Sequence, residues 1–183
     1  MNLFITNQQR KFSQHLATLK NTTVIPYDPA QLKRKTASVK IERNLADLQT
    51  SSLWSYNIFP PHILQGYTQW AHENRGMRID DTIVQQVFLP PAKTISQKLL
   101  AGVRIKEIFN TPLKQGFSYE TLEGHLERGI SIFTLQQIPS GCVFTIKTYS
   151  SPNGLLPSLL KPLTSLYQDF CTRRALAHLS ANL

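Results

Sequence analysis

Between Thr82 and Ser150 the chain holds five strand-like runs: TIVQQVFLP, AGVRIKEIF, QGFSYETL, ISIFTLQQI and CVFTIKTYS. Each run is rich in β-branched or aromatic residues. Turn signals divide them: Pro90-Pro91, Thr111-Pro112, the Gly124–Gly129 segment and Pro139-Ser140-Gly141. Short successive strands with short connections predict an antiparallel meander. In VRIKE, Val103 and Ile105 alternate with Arg104 and Lys106, as in a sheet with one wet face. The stretch between Pro90 and Leu100 reads as an irregular connection.

Such a sheet needs a cover for its apolar face. The last segment, from about Pro157 to Leu179, supplies one, with Leu159, Leu163, Leu166, Phe170 and Ala177 in a helical stripe. Pro162 should bend that helix or mark its start. Arg173 and Arg174 near its end complement the helix dipole. The predicted fold is α+β: a curved antiparallel sheet packed against a long C-terminal helix (helix-grip-like), with additional N-terminal helices. The space between sheet and helix is either filled by side chains or open to a ligand.

Upstream, residues 7–20 place Phe12, Leu16 and Leu19 at helical spacing. A loop with Pro26 and Pro29 leads to the basic cluster Lys33-Arg34-Lys35, read as a solvated loop. Residues 39–49 fit a short helix through Ile41, Leu45 and Leu48, or a strand. Thr50-Ser51-Ser52 reads as a loop before LWSYNIF, a strand-like run. Pro60-Pro61 then predicts the start of a helix carrying Ile63, Leu64, Tyr67, Trp70 and Ala71 on one stripe, with Gly76 as its stop. At 183 residues the expectation is a single domain, 1–183, with an N-terminal helix and basic loop at 1–36 and a core from 53 to 183.

With 41% apolar and 17% charged residues, the composition is globular rather than disordered. The formal charge of +9 favours acidic partners or serves solubility alone. Cys142 and Cys171 are far apart and read as buried thiols, not a disulfide framework. MNLFITNQQRKF has no basic leader followed by an apolar run, and proline and lysine break the apolar clusters elsewhere. The expected location is the cytoplasm, with membrane association as a further option.

The densest polar stretch is GFSYETLEGHLERG, residues 116–129. Gly116, Phe117, Tyr119, Thr121, Leu122, Gly124, His125 and Gly129 match, in order and spacing, a motif of the form GFxYGTLxGHxxxGE. On these residues the chain resembles uncharacterised protein family 0548, a family of unknown function. Trp70 and His72 are similar to that family's Trp-x-x-His-like helix end. Ser150-x-Pro152 is similar to its Ser-x-Pro before the final helix. The resemblance runs from about Trp54 to Leu179 and implies a START-like, helix-grip element order. Here Glu120 replaces the motif's second glycine, Glu123 takes a position often held by proline, and Ile130 replaces the closing acidic residue. An acidic function would be lost, or moved to Glu127.

If 116–122 is a strand, Phe117, Tyr119 and Thr121 share one face, with Ser118, Glu120 and Leu122 on the other. Tyr119 then points at the cavity and Glu120 into solvent. The leading reading is binding of a small hydrophobic or amphipathic molecule between sheet and helix. Tyr119 and His125 would be its polar contacts, Trp70 and Phe117 its apolar lining, and His72 a further contact. A second reading makes the same cavity an enzyme, with His125 and Tyr119 as acid–base groups. Against both, His125 is a turn residue whose ring nitrogen caps a backbone carbonyl.

A third reading is a peripheral membrane or pore-forming protein drawn to an anionic surface by Lys33-Arg34-Lys35. Nucleic acid is an unlikely partner. No phosphate loop, zinc finger or helix-turn-helix spacing is present, and alternation puts Lys147 and Tyr149 on one face and Phe144 on the other. His62, His72 and His125 lack compact ligand spacing, so no metal is expected, and no cofactor.

Overall fold

The computed structural model describes residues 2–90, 96–153 and 161–183, without the side chains of Asn2 and residues 161–166. In chain order the elements are β1 (Asn2–Phe4), α1 (Phe12–Leu19), β2 (Lys33–Ile41), α2 (Ser51–Trp54), β3 (Leu64–Thr68), α3 (Gln69–His72), β4 (Thr82–Leu89), β5 (Gln97–Thr111), β6 (Lys114–Thr121), β7 (Glu127–Ile138), β8 (Gly141–Pro152) and α4 (Lys161–Ser180). The strands form one eight-stranded antiparallel sheet in the order β2-β8-β7-β6-β5-β4-β3, with β1 added to β5. The five expected strands are all present as a meander. β5 is the longest at 15 residues, and a bulge at Lys106 shifts its register against β6.

Helix α4 packs on β2 and β8. Its C-terminal half presents Ala175, Leu176 and Leu179, which join Ile41, Leu45 and Phe144 in the main core. Ala177, expected on that stripe, is exposed. Pro162 lies in the first described turn, while Pro157 and Leu159 lie outside the described residues. Tyr167 donates to the Phe88 carbonyl at 2.7 Å, tying the helix to β4 as well. The result is an α+β, helix-grip-like arrangement.

Local expectations fail in two ways: apolar spacing records burial while strand pairing decides the backbone, and a strand-like run left without a partner strand folds otherwise. The helix predicted after Pro60-Pro61 is a turn followed by edge strand β3, paired to β4 from Leu64↔Val87 to Thr68↔Ile83. Gly66 lies flat against Tyr56, where a Cβ would stand 2.5 Å from the ring. The Thr68 hydroxyl then accepts from Ala71 N at 3.3 Å, and that cap starts the short α3. LWSYNIF is not a strand. Ser51–Trp54 is helical and Tyr56 has φ 61, which turns its ring inward so that Leu53, Tyr56 and Ile58 fill the concave side.

Lys33-Arg34-Lys35 is not a loop but the start of β2, paired with β8 over its whole length. Residues 39–49 hold the end of β2 and one 3-10 turn, Leu45–Asp47. Of the connection expected between Pro90 and Leu100, residues 91–95 lie outside the described residues, and β5 begins at Gln97. The sheet's outer face is not simply wet either. Helix α1 lays Phe12 and Leu16 on Val84 and Leu100 as a second core cluster.

Candidate functional site

Alternation along the strands, combined with the register, sorts the concave face into cross-strand rows. Phe117, Phe133, Ile146 and Ala37 are directly opposed on β6, β7, β8 and β2. Two residues along lies a polar row: Tyr119, Ser131, Thr148 and Lys35. Beyond it, Gly129 N–H donates to the Thr121 hydroxyl at 3.1 Å, and Gly129, Ser150 and Lys33 continue across the sheet. The face therefore passes from apolar to hydroxyl-bearing to basic within a few residues.

A cavity of about 560 Å³ opens over these rows, within the usual range for small-molecule sites. Phe59, Phe133 and Ile146 form its apolar wall, and Gln168, Asp169 and Thr172 of α4 close the other side. The Phe59 and Phe133 rings meet edge-on, with centroids 6.3 Å apart. Lys35 Nζ reaches Asp169 Oδ1 at 2.7 Å and joins edge strand to helix. Cys171 borders the same space, and burial pushes its thiol up to about 11, so it is protonated at neutral pH.

The polar row is linked. Ser131 Oγ lies 3.3 Å from Thr148 Oγ1, and the Tyr56 and Tyr119 rings meet edge-on with centroids 6.2 Å apart. Gln85 Nε2 donates to the Tyr56 hydroxyl at 2.5 Å. Burial raises both phenols above their ordinary pKa, so they stay protonated.

His125 lies at the turn between β6 and β7. Its Nδ1 lies 3.0 Å from both the Glu127 N–H and the Glu127 carbonyl oxygen, accepting from the first or donating to the second according to the tautomer. Burial lowers its pKa to about 4, opposed in part by the Glu127 carbonyl. The ring nitrogen meets a backbone carbonyl, that of Glu127, as the plainer reading held. Asn153 Nδ2 donates to the His125 carbonyl at 3.1 Å and ties this turn to the end of β8.

Of the residues singled out in the sequence, the structure brings Tyr119 and His125 together on the cavity wall. Phe117 lies beside it, fully buried and stacked on Phe133 at 5.3 Å. Trp70 is in the core, donating from Nε1 to the Trp54 carbonyl at 2.9 Å. His72 is exposed, with Nδ1 2.8 Å from the Tyr67 hydroxyl. Sequence reading missed Lys35, Ser131, Thr148 and Asp169. The signal for the first was available: in KRKTASVKI, Ala37, Val39 and Ile41 alternate with Thr36, Ser38 and Lys40. Among the described residues no group of three His, Cys, Asp or Glu side chains is placed to hold a metal ion.

Most of the motif is architectural. A Cβ at Gly116 would lie 1.9 Å from the Phe133 carbonyl oxygen, and one at Gly129 2.0 Å from that of Tyr149. Both have positive φ, 145 and 143, which favours glycine. Leu122 is buried, and Glu120 on the outer face is bound by Lys106 at 2.6 Å and Tyr27 at 2.5 Å rather than left in solvent.

A concave antiparallel sheet closed by a C-terminal helix over a mixed apolar and hydroxyl-lined cavity defines a helix-grip-like α+β protein. The chain belongs to the family described as "Domain of unknown function (DUF1990)", which it matches over residues 28–178. No curated protein matches it in sequence. Among solved structures it is similar to a hypothetical protein of Helicobacter pylori, at 11% identity and TM-score 0.57, covering 88% of this chain and 96% of that one. A protein of Mycobacterium smegmatis aligns at 12% identity and TM-score 0.54 over 87% and 96% of the two chains. The di-domain ARO/CYC protein StfQ of the steffimycin biosynthetic pathway aligns at 10% identity and TM-score 0.51, over 80% of this chain and 50% of that one. These likenesses concern the fold. No described helix is long and apolar enough to cross a membrane.

Proposed function

We propose that this protein binds a small hydrophobic or amphipathic molecule between the concave sheet and α4. The observation that carries this reading is the cavity itself: about 560 Å³, with Phe59, Phe133 and Ile146 as its apolar wall and a row of hydroxyls beside them on the sheet. The space is open to solvent along one side, which gives a ligand a way in. The motif resemblance to uncharacterised family 0548 and its START-like element order support the same reading, as does the likeness in fold to an ARO/CYC protein. Two free cysteines, Cys142 and Cys171, fit a reducing cytoplasm as the place of action.

The test is a native mass spectrum of gently purified protein, with a titration by N-phenyl-1-naphthylamine, an uncharged probe that fluoresces in apolar surroundings. The expected result is saturable fluorescence, weakened by Ala37→Leu, which narrows the cavity. A clean apo mass together with no fluorescence gain would end the reading.

A further inference from the structure

The order of the rows constrains what the ligand carries. Tyr119, Ser131 and Thr148 occupy neighbouring strands in one cross-strand row, and Ser131 Oγ lies 3.3 Å from Thr148 Oγ1. Each hydroxyl offers one donor and two acceptor positions. Ser131 and Thr148 share one contact in which either atom can be the donor, so this pair keeps both donor and acceptor capacity for a third group. Turning these two hydroxyls reverses the direction of donation without moving a heavy atom. Such a pair accepts a ligand hydroxyl or donates to a ligand carbonyl with equal ease.

The charges beside the row nearly balance, Lys33, Lys35 and Arg173 against Asp169 and Glu127, so they assemble no dedicated anion site. Lys35, the cation in line with the three hydroxyls, is bound to Asp169 of α4 at 2.7 Å. Glu127 places a second carboxylate residue on the wall, near a neutral His125. Lys33 and Arg173 also border the cavity, but both are exposed, where water screens them. Two residues along the strands from the hydroxyls, Phe133 and Ile146 begin the apolar wall, and Phe59 packs on Phe133.

We infer that the ligand is an uncharged amphiphile with two or more hydroxyl or carbonyl oxygens along one edge. That edge lies on the Tyr119–Ser131–Thr148 row, and the apolar body lies on Phe59, Phe133 and Ile146. This rests on the cavity-binding reading and adds the chemistry and orientation of the occupant.

The experiment is competition against N-phenyl-1-naphthylamine by three compounds of matched chain: 1-decanoylglycerol, decanoate and decanol. It is run on the natural protein, Ser131→Ala/Thr148→Val and the conservative Thr148→Ser, each checked for an unchanged circular dichroism spectrum. The glycerol ester is expected to compete best. The double variant should weaken it about tenfold, as for the net loss of one hydrogen bond, while probe affinity moves less than about twofold. Thr148→Ser, which keeps both hydroxyls, should leave it as in the natural protein. Decanoate competing best, or a double variant that treats all three compounds as the natural protein does, overturns the inference and leaves cavity binding standing. No probe binding to the natural protein overturns both.

Discussion

Lys35 Nζ lies 2.7 Å from Asp169 Oδ1, and this ion pair ties the edge strand β2 directly to the helix that closes the cavity. Both side chains keep solvent contact, at 27% and 49% exposure, so the pair is a modest latch rather than a pillar. A double-mutant cycle through Lys35→Met and Asp169→Asn should give a coupling below about 1 kcal/mol, which is about 2–4 °C in Tm for a chain of this size. The larger effect is expected locally, as faster amide exchange in the first described turns of α4. Exchange that is unchanged in Asp169→Asn would show that the helix is held there by other contacts.

Gly129 allows β7 to approach β8 where a side chain would collide with the Tyr149 carbonyl oxygen at 2.0 Å. Its φ of 143 adds strain for any other residue. Gly129→Ala should therefore cost about 3 kcal/mol or more, read from the urea midpoint. Gly76 is the control, because a Cβ there meets nothing within 4 Å. Gly76→Ala should stay within about 0.5 kcal/mol of the natural protein, as surface changes usually do.

The meander from Thr82 to Ser150 was readable because its strands are β-branched and aromatic runs that end at turn signals set by local chemistry. β2 and β3 were not. Lys33-Arg34-Lys35 looks like a loop until β8 pairs with it, and the stripe from Ile63 to Ala71 suits a helix until β4 claims its backbone. Tyr119 and His125 were findable as polar residues inside a strand-and-turn motif. Ser131 and Thr148 were not, because a serine or threonine in a strand says nothing until the register opposes it to another. Asp169 reached the site from a helix that contributes only one carboxylate, which no local pattern flags.

His125 is held neutral, with its pKa lowered to about 4 chiefly by burial. An unfolded histidine titrates near 6.5, so between those values the unfolded chain binds more protons. Stability should be full above pH 6.5 and should fall as pH drops from 6.5 through 4. His125→Asn keeps an acceptor for the Glu127 N–H without a titrating ring. A pH series of Tm from 7.5 to 4.5 should then show a shallower decline in the variant than in the natural protein. Parallel curves would mean that the ring is protonated in the folded state at the same pH as in the unfolded one.

Glu120 replaces a glycine in the motif the sequence resembles, and the structure gives it work on the face opposite the cavity. Its Oε1 accepts from Lys106 Nζ at 2.6 Å and from the Tyr27 hydroxyl at 2.5 Å, which pins the segment before β2 to the bulged strand β5. Alternation sets Tyr119 inward and Glu120 outward, so the two neighbours should separate cleanly under mutation. Glu120→Gln should lower stability by about 0.5–1 kcal/mol, the usual worth of a part-exposed ion pair, and leave probe binding within about twofold. Tyr119→Phe should alter binding of hydroxylated competitors while Lys106 and Tyr27 keep their carboxylate. If Glu120→Gln instead changed ligand affinity as strongly as Tyr119→Phe, the outer face would be coupled to the cavity through β6, and the motif's acidic departure would belong to the site.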